Sequence, residues 1–286
     1  MKANVDSGFF NVDSLPGGLI RWLETTAHVI QAKRKTNATQ PAELEQMYMA
    51  AEEGCPVEAL KSTSACLTPT IIYSSTKGPL LKTSWDQGCG YNTNCPIASD
   101  GPCGYAYTGC VATAMAQVMA YWKYPSTYNW SLMPASSGSA ETARLMYNIG
   151  LSVSMSYSGT ESSANDANIA GALKNTFKYS SAVYKSMGSA DYNTIKSNLD
   201  AGEPVLLSGC STIKSAILGI PTSYSECHEW VCDGYMQADY STYSTLMFDM
   251  NWGWGGSCNG FYSFDSWTPS GYNFQYADDM VYNIHP

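Results

Sequence analysis

Cys110 follows Thr108-Gly109 and immediately opens the apolar run VATAMAQVMAYW, residues 111–122. A cysteine at the start of a helix sees the positive end of the helix dipole and unpaired backbone N–H groups. Both lower its thiol pKa. The same N–H groups can bind a developing oxyanion. A thiolate nucleophile needs a base within hydrogen-bond reach, and the base needs an orienting group. Three histidines are available. His28 lies on an N-terminal amphipathic stretch and His285 is penultimate, whereas His228 heads the strand-like run EWVCDGY. The bland alternatives are a half-cystine or small buried hydrophobe at 110 and a structural histidine at 228. No H-E-x-x-H and no C-x-x-C is present, so neither a zinc hydrolase nor a zinc-finger pattern fits.

Those residues need elements to hold them. The run after Cys110 is apolar nearly all round, which predicts a helix buried in the middle of a domain, stopped at Pro125. Amphipathic helices are predicted over residues 165–177 and 189–201, the second ended by Gly202. Beyond residue 203 the texture is strand-like: PVLLSG, EWVCDGY, STLMFDMNW, GFYSFDSW and DDMVYNI. Helices first and an antiparallel sheet second make an α+β arrangement. Upstream, residues 9–35 carry one amphipathic helix, and residues 36–70 are polar and Pro-punctuated, as in a linker.

Composition bounds the function. The 286 residues carry a net charge of −9, against binding to a phosphate backbone, so no nucleic-acid partner is expected. No run of about 18 apolar residues exists, so no membrane span is expected. Ten cysteines point to an oxidising compartment with a few disulfides. The N-terminus MKANVDSGFFNVDS lacks the layout of a secretory signal.

Four segments together resemble the streptopain-type cysteine peptidases, a bacterial branch of the papain-like superfamily: WDQGCGYN (85–92), GCVATAMAQVMAYWKYP (109–125), HEWVCDGY (228–235) and NWGWGGSCNGFYSFD (251–265). The resemblance covers about residues 70 to 286 and implies a papain-like two-lobe α+β fold, a helical lobe plus a twisted antiparallel sheet lobe. It implies Cys110 as nucleophile and His228 as general base and acid, sharing a thiolate–imidazolium pair. Gln87 matches the oxyanion-hole glutamine, and the pair Asn251-Trp252 matches residues that support the histidine. The weaker similarity of MSYSGTESSA (155–164) puts Ser163 at a substrate-contacting position, with Cys227, just before the histidine, as a second. The implied activity is that of a secreted bacterial endopeptidase acting on protein or peptide substrates without metal or cofactor. Its setting would be extracellular, periplasmic or at the cell surface, and the oligomeric state is open. A papain-like transferase or amidase using the same pair is one alternative, and a disulfide-stapled binding protein with a decayed site is another.

Such enzymes are made as zymogens. The helix at residues 15–34 is similar to the end of an inhibitory prodomain, so residues 1–69 are expected to be a prodomain remnant and linker. Residues 70–286 would form the peptidase domain. Three departures stand out. The stretch 209–226 is longer than the usual connection before the histidine, Glu229 replaces a small apolar residue after it, and there are several additional cysteines. Cys227 could pair with Cys210 across the long connection or remain a free thiol beside the base.

Overall fold

The computed structural model describes residues 71–217, 220–240, 243–264 and 266–286. The N-terminal helix and linker read from the sequence lie outside these residues. A single compact unit holds residues 73–239 and 244–286.

Helix α1 spans Cys110–Trp122 and α2 spans Ala140–Ser152; α3 is Ile169–Asn175 and α4 is Tyr192–Ala201. The strands are β1 (Ile71–Lys77), β2 (Ser181–Ser186), β3 (Val205–Ile217), β4 (Ile220–Tyr240), β5 (Ser244–Asn251), β6 (Gly260–Ser263) and β7 (Tyr276–His285). They form one seven-stranded sheet in the order β2-β7-β3-β4-β5-β6, with β1 paired to β4. The pairs β2–β7, β3–β7, β3–β4, β4–β5 and β5–β6 are antiparallel. The α+β class read from the sequence is the one observed.

The period of two along each strand divides the interior in two. Val231, Leu206 and Val281 are cross-strand partners and face the core built with α1, α2 and α3. Trp230, Leu207 and Met280 form the adjacent row and face the opposite core, with Phe248, Trp252 and Trp267. Residues 111–119 of α1 are all buried, as its apolar circumference requires. Each fully buried side chain the size of Met115 or Val118 contributes about 1.5–3 kcal/mol.

The division between lobes differs from the sequence reading in detail. α4 sits with the second core, because Ile195 and Leu199, one turn apart, pack beneath Leu207 and Trp230. β2, from within the helical stretch, joins the sheet edge beside β7. α2 has no counterpart in the sequence reading; the Ser139 hydroxyl caps it by accepting from Thr142 N–H at 3.1 Å. The long connection before His228 is a β-hairpin, paired from Val205↔Cys232 out to Ile217↔Ile220, with register shifts between Ile213 and Ala216.

Candidate active site

Cys110 begins α1, with Gly109 as the preceding cap at φ 88°. Only glycine fits there. Beyond the positive φ, a Cβ at Gly109 would lie 2.7 Å from the Met155 thioether and 3.1 Å from the Ser162 carbonyl oxygen. Close approach of the 155–163 loop to the helix start therefore depends on this residue. Packed surroundings push the Cys110 thiol up to about 11. Three backbone N–H groups oppose that shift: Glu229 from β4, and Val111 and Cys110 from the helix start. The sulfur thus meets β4 at the residue next to His228.

His228 is buried, and its ring lies among aromatic faces. Centroid distances are 4.8 Å to Trp254, 5.5 Å to Phe274, and 6.3 Å to both Trp230 and Trp252. Its Nε2 is 2.8 Å from the Trp252 carbonyl oxygen. A carbonyl can only accept, so Nε2 carries the proton and the neutral ring keeps its lone pair on Nδ1. Nδ1 is therefore the basic nitrogen. Burial lowers the imidazole pKa to about 4, against the opposing pull of the Trp252 carbonyl. Burial thus disfavours the charged form of each group taken by itself.

Asn251 is placed one step behind the ring. Its Oδ1 accepts from Gly253 N–H at 3.2 Å and from Gln117 Nε2 at 3.1 Å, and its Nδ2 donates to Thr83 O at 2.7 Å. These bonds fix the turn after β5 that presents the Trp252 carbonyl. Trp252 N–H in turn donates to Asn259 Oδ1 at 3.0 Å. Of the Asn251-Trp252 pair, it is the Trp252 carbonyl that meets the imidazole, with Asn251 one step back.

Gln87 is tied to the segment leading into Cys110: its carbonyl accepts from Thr108 N–H at 3.0 Å. The Gln87 side chain is partly exposed and has no hydrogen-bond partner among the described residues. The Cys89–Cys103 disulfide pins the loop that follows. Ser163 is exposed on the loop against Gly109, in an antiparallel bridge with Ser156. Cys227 is disulfide-bonded to its register partner Cys210, which closes the choice between bridge and free thiol. Among the described residues no group of three His, Cys, Asp or Glu is arranged to hold a metal ion.

A profile of the Peptidase C10 family matches residues 85–127 and 125–262, taking in Gln87, Cys110, His228 and Asn251. The chain belongs to the peptidase C10 family. The thiol protease/hemagglutinin PrtT of Porphyromonas gingivalis is 29% identical over 290 residues, covering 88% of this chain and 30% of that protein. Streptopain of Streptococcus pyogenes is 27% identical over 271 residues, covering 75% of this chain and 63% of its own length. The chain therefore spans less than two thirds of each of these relatives. Among solved structures, active wild-type interpain A, a cysteine protease of Prevotella intermedia, superposes with a TM-score of 0.62 at 28% identity. That match covers 74% of this chain and 96% of interpain A. A prointerpain A fragment from the same organism gives a TM-score of 0.58 at 24% identity, over 87% of this chain and 86% of the fragment, a likeness of fold. The papain-like fold that the sequence resemblance implies is thus the fold of this C10 domain.

One residue of this site escaped the sequence reading. Gln117 is fully buried on α1, two turns from Cys110 and on the same face. Its Oε1 accepts from Trp85 N–H at 3.1 Å while its Nε2 reaches Asn251. The signal was a lone amide in an otherwise apolar helix, because a buried amide must be satisfied.

Proposed function

We propose that this C10 domain is a cysteine endopeptidase acting on protein or peptide substrates, with Cys110 as nucleophile and His228 as general base and acid. The observation that supports it most directly is the His228 Nε2 to Trp252 O bond. That bond fixes the tautomer whose free lone pair, on Nδ1, can take a thiol proton. As the scissile carbonyl arrives, the Cys110 proton passes to Nδ1 and the sulfur–carbon bond forms. The oxyanion is held by the Cys110 N–H, at the start of α1, and by the Gln87 side-chain amide. The imidazolium then gives its proton to the leaving amine as the carbon–nitrogen bond breaks. Water, deprotonated by Nδ1, hydrolyses the thioester and returns the proton to the sulfur. Ser163, on the loop against Gly109, and Cys227, in the bridge to Cys210, are assigned on this reading to substrate contact.

The two disulfides among the described residues suit an oxidising, extracytoplasmic setting. Among the described residues no helix is long and apolar enough to cross a membrane. Residues 1–69 are assigned on this reading to a prodomain remnant and linker. The test is labelling of Cys110 by an epoxysuccinyl peptide together with hydrolysis of denatured casein. Wild type should do both and Cys110→Ala neither. Labelling without casein hydrolysis, but with activity on small amides, would instead indicate an amidase or transferase.

A further inference from the structure

Glu229 follows His228 on β4 and, by the alternation of the strand, turns to the opposite face from it. There it lies in a row with Ser208 of β3 and Asp279 of β7, one row beyond the apolar Val231–Leu206–Val281 set. Asp166, just ahead of α3, joins this row, accepting a 2.6 Å hydrogen bond from Ser208 Oγ. Glu229 is only 3% exposed, and its Oε2 has no hydrogen-bond partner among the described residues. Asp166, Asp279 and Cys110 are each partly exposed, so the carboxyls run from solvent inward to Glu229. The charged groups that act on Glu229 are Asp166 and Asp279, both acids, and Tyr184 of β2 sits against the same two aspartates. Among the described residues no cation acts on Glu229.

A buried, unpartnered carboxyl among other carboxyls is costly to keep. Burial first, then Asp166 and Asp279, hold Glu229 in its neutral form well above the usual carboxylate range. The row also adjoins the nucleophile, because the Glu229 backbone N–H points at the Cys110 sulfur. A metal ion does not suit it, since no three of the described acidic, His or Cys groups converge closely enough. A long side chain ending in a cation does, because it can reach past the partly exposed acids to the buried one.

We propose that Glu229, with Asp166 and Asp279, forms a specificity subsite beside Cys110 that takes a lysine or arginine side chain of the peptide substrate. This rests on the peptidase reading above. The test uses peptides in which each position flanking the scissile bond is varied in turn among lysine, arginine, leucine and glutamate. Wild type should favour a basic residue over leucine by about tenfold or more in kcat/KM at one position. Glu229→Gln and Asp166→Asn should each cut that ratio severalfold or more at the same position. If Glu229→Gln does not fold, Asp166→Asn, at the exposed end of the row, carries the test alone. Equal rates for lysine and leucine at every position would overturn the subsite while leaving the peptidase intact. So would a basic preference that survives both variants. Failure of the peptidase reading looks different: no peptide of any sequence is cut and Cys110 is not labelled, and the subsite falls with it.

Discussion

Gln117 Nε2 donates to Asn251 Oδ1 across 3.1 Å, which joins the helix begun by Cys110 to the strand end that carries Trp252. The same amide accepts from Trp85 N–H, two residues before Gln87. One buried side chain therefore ties together the segments bearing the proposed nucleophile, the oxyanion donor and the carbonyl that holds the base. It thereby links the element that carries Cys110 to the turn that holds His228.

Gln117→Leu should thus affect both stability and turnover. It strands the buried Trp85 N–H and removes one of the two donors to Asn251 Oδ1, at a cost of about 1–3 kcal/mol in unfolding free energy. It should lower kcat about tenfold or more, with a smaller change in KM, because the thiol and imidazole lose alignment while the cleft walls remain. Denaturant unfolding and steady-state kinetics on one peptide would check both. An unchanged kcat would show that the helix and the turn hold their places without the bridge.

The buried imidazole makes a pH prediction. His228 titrates at about 4 in the folded protein, below its ordinary 6.5. The folded state therefore binds fewer protons than the unfolded chain between those values. Its contribution is complete above pH 6.5 and is lost as pH falls from 6.5 towards 4. The full loss is about 3 kcal/mol. Unfolding free energies at pH 7.5 and pH 4 should fall by that much more in wild type than in His228→Gln. A matching fall in both proteins would mean the ring is not held neutral by burial.

The proposed roles separate by the size of their loss. Removing one oxyanion donor costs about 10²–10³ in rate, so Gln87→Ala should be crippled but measurable. Cys110→Ala and His228→Ala should each fall to background in peptide hydrolysis. Their combination should add little, since the two act as a unit. A Gln87→Ala enzyme with wild-type kcat would remove Gln87 from the oxyanion hole.

Much of this was legible in one dimension. The apolar circumference of residues 111–122 fixed a buried helix starting at Cys110, and the strand-like runs after residue 203 fixed the later half of the sheet. The quoted segments also carried enough local identity to imply the family. These signals are legible because helical and strand periodicity, caps and short motifs are properties of neighbouring residues. β2 escaped because its pattern is short; α2 carries an apolar face of Leu145, Met146 and Ile149 that the sequence reading passed over; and what α4 packs against was not legible, because periodicity shows a buried face without saying against what.

Only the tertiary structure decided which groups meet. The order Gln87, Cys110, His228, Asn251 was in the sequence. That the imidazole bonds to the Trp252 carbonyl, with Asn251 one step back, depends on how the turn after β5 folds. The pairing of Cys210 with Cys227, and the alignment of Glu229 with Ser208 and Asp279, follow from strand register. Register is set by long-range packing of both sheet faces, and a shift of one residue would turn every side chain of β4 to the other side. The sequence therefore names the chemical groups, while the sheet determines that His228 faces the aromatic core and Glu229 the row of acids beside the thiol.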